Sequence, residues 1–185
     1  GKVDVFEVIK DDDKENEAGL VLDFGFRQTA PLPEGGKYKE GDFVQIQRDG
    51  QKRSAIKVDV EKDYIYTYKA QVVKVVDADT LLVRFEVGFG IAVRQRLRLR
   101  GIDSPEMDTD EGKKAKRFVE SHLKDCEFVV VKTYKDRTDI YDRYLADIFY
   151  ESSVVSHQRS AKNPADSREL KADSLMYLNQ ELLDK

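Results

Sequence analysis

Short bursts of apolar residues alternate with polar turns along most of this chain, and only late does the spacing become helical. Up to residue 66 the bursts are Val3 to Ile9, Leu20 to Arg27, Phe43 to Gln47 and Ala55 to Val60, separated by acidic or Gly-rich stretches. Runs of this length bounded by turn residues predict strands. Pro31, Pro33, Gly35 and Gly36 mark one loop, and Asp11 to Glu17 reads as a solvated hairpin tip. Tyr64-Ile65-Tyr66-Thr67-Tyr68 alternates with period two. That predicts three tyrosines on one face of a strand, as packing residues.

From Ala70 the signals are cleaner. Gln71 to Val76, Thr80 to Val87 and Ala92 to Arg100 predict strands, Thr109 to Lys124 a helix, and Phe128 to Thr133 and Tyr144 to Phe149 two more strands. Leu175, Leu178, Leu182 and Leu183 recur at helical spacing over Asp173 to Leu183, whereas residues 151–172 lack periodicity and read as a long, weakly ordered loop. Five strands with helices predict a mainly β, α+β fold. The expected organisation is an OB-type five-stranded barrel over residues 67–185, preceded by a small β domain of unassigned role over residues 1–66.

Composition changes this picture in three places. The 185 residues, 40% hydrophobic and 37% charged, suit one ordinary domain or two small ones, and no run of about 18 apolar residues predicts a membrane-spanning helix. Gly1 begins the chain without Met or an apolar leader, which leaves export open. Cys126 is alone and precedes an apolar run, so a buried thiol is expected rather than a disulfide. The net charge of -4 is divided unevenly: residues 1–66 carry 11 basic and 15 acidic side chains, residues 67–185 carry 21 of each. An acidic segment repels phosphate backbones, so contact with nucleic acid is assigned to the second segment.

Three charged clusters carry the candidate chemistry: Asp77-Ala78-Asp79-Thr80, Arg98 through Glu106, and Asp139-Ile140-Tyr141-Asp142-Arg143. Taken alone, Asp77-Ala78-Asp79 between two strands is an ordinary turn. Asp103 strengthens it, because a second carboxylate with the adjacent Ser104 carbonyl makes a partial shell for a hard cation such as calcium, with water and substrate phosphate filling the remainder. Arg94, Arg96, Arg98 and Arg100 share one strand parity and Val93, Leu97 and Leu99 the other. For Arg94 and Arg96 a charged strand edge is the favoured reading. Arg98 runs into the carboxylate cluster, and Arg143 approaches from another strand, so the two guanidinium groups suit gripping a phosphate. Glu106 follows Pro105, whose fixed backbone would hold a water-activating carboxylate in place; its ordinary alternative is a residue favourable to a helix N-terminus. His122 falls within the helix and His157 in the loop, and no Cys/His metal spacing exists, so a zinc site has little support.

Asp-x-Asp-Thr, Arg-x-x-x-x-Asp-Ser-Pro-Glu and Asp-x-Tyr-x-Arg occur in the order found in the thermonuclease family, typified by staphylococcal nuclease, which the chain resembles from about Ala70 to Tyr150 and again from Tyr177 to Lys185. The resemblance implies calcium held by Asp79, Asp103 and the Ser104 carbonyl, with Arg98, Glu106 and Arg143 catalytic. It implies Tyr141 against a substrate phosphate and Asp77 outside the direct ligand set. The implied activity is hydrolysis of DNA and/or RNA at the 5′-oxygen to leave 3′-phosphates, in a secreted or exported protein. Ala78, Asp142 and Tyr144 depart from the family pattern, and by that pattern the chain ends before a later segment with further tyrosines. Residues 1–66 have no counterpart in the single-domain nuclease. The competing expectation is a noncatalytic module binding nucleic acid or protein on the same barrel; a third is a structural adapter built around the acidic first segment, with an unknown protein partner.

Overall fold

A computed structural model describes residues 3–11, 19–49, 52–88, 91–138, 143–151 and 175–184. Most of the expected hairpin tip over Asp11 to Glu17, most of the expected loop over residues 151–172 and the stretch Asp139 to Asp142, with Tyr141, lie outside the described residues.

The first five strands, β1 (Val5–Lys10), β2 (Leu20–Asp23), β3 (Thr29–Pro31), β4 (Phe43–Asp49) and β5 (Lys52–Val58), form an antiparallel sheet in the order β3-β2-β1-β4-β5. Strand β1 lies at its centre with Val5, Phe6, Glu7 and Val8 all buried, as expected of a strand covered on both faces. Two expectations are corrected here. The strand predicted over Leu20 to Arg27 stops at Asp23, because Gly25, Phe26 and Arg27 all take positive φ (70°, 55° and 56°). The predicted Pro31 loop begins with the short strand β3, which pairs Ala30 with Leu22.

A positive φ is unusual for a residue as bulky as phenylalanine. Packing compensates for it: the turn drives the Phe26 ring against Phe85, Tyr144 and Tyr68, at centroid separations of 4.6, 5.0 and 5.1 Å. Asp23 braces the turn, accepting from the Gly25 amide at 2.8 Å and from the Tyr66 hydroxyl at 2.9 Å. The apolar core consequently runs without a break from the first sheet into the second.

The chain crosses between the sheets through a 3-10 turn at Lys62–Tyr64 and a left-handed residue, Tyr66, with φ of 56°. That breaks the expected tyrosine row. Tyr64 is exposed at the turn, and Tyr66 and Tyr68 are buried with their hydroxyls donated to Asp23 and the Phe24 carbonyl.

Strands β6 (Thr67–Asp77), β7 (Thr80–Gly88), β8 (Ile91–Leu99), β9 (Val129–Thr138) and β10 (Tyr144–Glu151) close into the expected OB-like barrel. Neighbours run β9-β6-β7-β8-β10, and β10 pairs back to β9; β8 and β10 are parallel, the remaining pairs antiparallel. The parity read in β8 holds. Leu97 and Leu99 are buried, while Ala92, Arg94 and Arg96 face solvent.

Helix α1 (Asp110–Leu123) packs beside β6 and buries Val119 and Leu123. Thr109 caps it, its hydroxyl accepting from the Gly112 amide at 3.0 Å, a common way to satisfy a free helical N–H. The helix predicted over Asp173 to Leu183 is corrected. Leu175–Tyr177 is a strand, β11, paired along β10, and within this segment the helix, α2, covers Leu178–Leu183. The open edge of β10 supplies backbone partners that local leucine spacing does not reveal. Cys126 is half-buried, and burial pushes its thiol pKa up.

Candidate functional site

The candidate residues converge at one end of the barrel. Strand β6 ends in Asp77, Ala78 and Asp79 make the turn, and Thr80 begins β7. Strand β8 brings Arg98 alongside, in register with Thr80, and runs on through Asp103 and Ser104. Arg143 lies immediately before β10, whose first residues pair in parallel with Leu97–Leu99. Barrel closure thus joins segments separated by more than sixty positions.

Asp79 is the hub, at only 2% exposure. Its Oδ1 accepts from the Thr80 hydroxyl at 2.9 Å and pairs with Arg98 Nη1 at 2.6 Å. Its Oδ2 accepts from the Ser104 amide and hydroxyl, both at 2.9 Å. An ionised carboxylate has about four acceptor positions, so each one is met. Arg98 continues the network, donating through Nη2 to Asp103 Oδ1 at 2.9 Å and to the Ile102 carbonyl at 3.0 Å. The Asp103 side chain is 99% exposed. Arg143 Nη1 donates to the Thr80 hydroxyl at 2.7 Å, so Thr80 links the second guanidinium to Asp79.

Burial opposes ionisation of Asp79, but donation from Ser104 and Thr80 to its charged form outweighs it and holds the pKa below the ordinary value. Asp77 is shifted the other way. Burial and its neighbour Asp79 push its pKa up, while its Oδ1 accepts from the Asp79 amide at 3.3 Å. Asp77 therefore touches the turn that presents Asp79.

Glu106 is exposed, two residues beyond Ser104, and its carboxylate has no hydrogen-bond or ion-pair partner among the described residues. Its backbone, in contrast, is firmly held: the Glu106 carbonyl accepts from the Thr109 amide at 3.0 Å and hydroxyl at 2.7 Å. The first turn of α1 also presses against it. A Cβ on Gly112 would stand 2.1 Å from the Glu106 carbonyl oxygen and 2.7 Å from that of Pro105, so only glycine allows this approach.

Asp79, Arg98, Asp103, Ser104 and Arg143 thus belong to one connected network, Asp77 adjoins it, and Glu106 stands on the same loop outside it. Ser104 enters the network through its amide and hydroxyl, which donate to Asp79. Two contributors were not singled out from sequence: Thr80, the link between Arg143 and Asp79, and Gly112, the seat for Glu106. The Thr after Asp-x-Asp and a glycine in the first helical turn were the available signals.

For a divalent cation, the donor set fits in kind. Two carboxylates, Asp79 and Asp103, meet on one guanidinium, and hard oxygens are what calcium prefers. Among the described residues no group of three or more His, Cys, Asp or Glu side chains is arranged to hold a metal, so backbone carbonyl and water would complete a shell. Because every acceptor position of Asp79 is met by protein, a cation binding there replaces one of those donors.

Comparison with family models finds a match, over residues 96–165, to the family described as staphylococcal nuclease homologue. The match spans Arg98, Asp103, Ser104, Glu106, Tyr141 and Arg143 and begins downstream of Asp77 and Asp79. No curated protein matches the chain.

Proposed function

Because residues 96–165 belong to the staphylococcal nuclease homologue family, we propose that this protein is a calcium-dependent nuclease that hydrolyses phosphodiester bonds of DNA and/or RNA. The observation that carries this reading is the connection of Arg98, Asp79, Thr80 and Arg143 into one network that reaches the exposed carboxylate of Asp103, on the loop that also carries Glu106. Asp79, Asp103 and the Ser104 carbonyl would hold the calcium ion. When bound, the ion neutralises phosphate charge and polarises a phosphoryl oxygen.

In the proposed reaction Glu106 takes a proton from water as its oxygen forms a bond to phosphorus. The bond from phosphorus to the 5′-oxygen breaks, and that oxygen receives a proton from solvent. The products are a 3′-phosphate and a 5′-hydroxyl. Arg98 and Arg143 stay charged throughout, so they act by stabilising the added charge of the five-coordinate transition state. The lack of side-chain partners on Glu106 leaves its carboxylate available to water, and the packing of its backbone on Gly112 limits where it can stand.

One observation favours the second reading, a noncatalytic module binding nucleic acid or protein. Arg98 already neutralises Asp79 and Asp103 within the protein. Incubation with denatured DNA in millimolar calcium or in chelator, beside Glu106→Gln, separates the two. Calcium-dependent fragments ending in 3′-phosphates and absent from the variant support the nuclease; intact DNA with a folded protein supports the binding module.

A further inference from the structure

The outward face of β6, β7 and β8 is basic where it approaches the candidate centre. In β8, Arg94 and Arg96 share the exposed parity and are followed on the same side by Arg98. Cross-strand register extends the patch: Arg96 stands opposite Leu82, which stands opposite exposed Lys74, and Arg94 stands directly opposite Arg84, which stands opposite Gln71. Lys74, Arg94 and Arg96 have no ion-pair or hydrogen-bond partner among the described residues. Arg84 has a surface pairing with Glu86 at 3.8 Å, worth little in water.

Like charges directly opposed across a sheet are destabilising, so the Arg84 and Arg94 pair needs a reason. Edge protection accounts for part of the row, because β10 joins β8 at Leu97–Leu99 and no other described strand pairs with Ile91–Arg96 on that side. It does not account for Arg84. That residue lies on β7, which is paired on both sides at this level. An anionic partner relieves the repulsion at both arginines.

We propose that this face is a docking track for the sugar–phosphate backbone of single-stranded nucleic acid, leading along β8 to Arg98. The proposal rests on the nuclease reading for its endpoint. From Arg94 to Arg98 the strand rises about 13 Å, and the row of cations spans about 10 Å across three strands, dimensions that follow one backbone. At its far end Arg84 reaches a hollow of about 240 Å³ of mixed charge, lined also by Lys69, Asp4, Glu86 and Glu127. Lys74, Leu82, Arg84, Arg94 and Arg96 include no aromatic ring. The track therefore contacts phosphates rather than bases and confers affinity without sequence preference.

The test measures binding of a fluorescein-labelled oligothymidylate by anisotropy, in chelator, across a potassium chloride series. Each phosphate neutralised on a single strand contributes about 0.7 to the slope of log affinity against log salt. The double variant Arg94→Gln/Arg96→Gln is expected to lower that slope by about 1.4, and Arg94→Lys/Arg96→Lys to retain it. A Gln variant with the slope of the unaltered protein overturns the track, as does weaker binding at an unchanged slope. Binding in chelator needs no cleavage, so a lowered slope from a protein that cuts no DNA supports the track while removing the nuclease reading.

Discussion

Two buried aspartates, each paired with an arginine from the same end of β8, make an instructive contrast. Asp147, on β10 and 5% exposed, receives a fork from Arg100, with Nε to Oδ1 at 3.1 Å and Nη2 to Oδ2 at 3.0 Å. The hydroxyls of Tyr134 and Tyr177 donate to it at 2.6 and 2.9 Å, and Asn179 Nδ2 lies at 3.4 Å. Its partners come from β9, β11 and α2, so the cluster ties the last described segment to the barrel. Asp79 and Arg98 make a pair of the same residue types, with Arg98 two positions before Arg100. Their network continues through Arg98 to a fully exposed carboxylate and through Thr80 to a second guanidinium. Both aspartates are satisfied by protein donors; what sets Asp79 apart is that its network leads on to a second, exposed carboxylate, Asp103, whereas that of Asp147 ends in donors that tie elements of the fold together.

The largest effect that tests this contrast is on stability. Asp147→Ala leaves one guanidinium and two hydroxyls without their acceptor and is expected to cost about 3 kcal/mol in urea unfolding. A loss below about 1 kcal/mol contradicts the structural assignment. Glu106→Asp, which withdraws an exposed carboxylate by one methylene, is expected to slow DNA cleavage by about 10²-fold while leaving unfolding within about 0.5 kcal/mol. Unchanged turnover removes Glu106 from the mechanism.

Gly112→Ala sharpens the contrast further. Alanine in an exposed helix ordinarily gains about 1 kcal/mol over glycine, but here its Cβ meets the Glu106 carbonyl. The expected result is about tenfold slower cleavage and no gain in melting temperature. A more stable variant with full activity means that the backbone of Glu106 need not be held.

The smallest effect concerns pH. Burial and the bond to Asp147 push the Tyr134 hydroxyl up to about 12 from an ordinary value of 10.0, against the opposing charge of Arg100. The folded protein therefore holds this proton more tightly than the unfolded chain. Its contribution is complete below pH 10 and is lost as pH rises toward about 12. Tyr134→Phe is expected to lower stability by about 1 kcal/mol at neutral pH and to flatten part of the alkaline decline in unfolding free energy. An alkaline decline identical to that of the unaltered protein contradicts the role given to Tyr134.

Much of the barrel was legible because its strands bury one parity and expose the other, as Leu97 and Leu99 against Arg94 and Arg96 illustrate. The elements missed were those decided at a distance. Leu175–Tyr177 has the leucine spacing of a helix and becomes a strand because β10 offers an edge. The tyrosine row failed because Tyr66 turns left-handed to reach Asp23, a partner 43 positions away. At the candidate site, Asp79, Arg98, Asp103, Ser104, Glu106 and Arg143 stood out as clustered charge and by resemblance. Thr80 stood in the Asp-x-Asp-Thr motif without an assigned role and Gly112 did not stand out, since neither a hydroxyl nor a missing side chain declares in sequence what it will touch. Arg100 was indistinguishable from Arg98 by parity; only the fold pairs it with Asp147.

The most direct test of the Asp79 network as a cation centre is calorimetric titration of calcium into the unaltered chain and into Asp103→Ala. Asp103 is exposed, so its removal should leave the fold in place and weaken calcium binding at least about tenfold, as loss of one carboxylate ligand requires. Equal binding isotherms for the two proteins, or no calcium binding by either, would contradict the account.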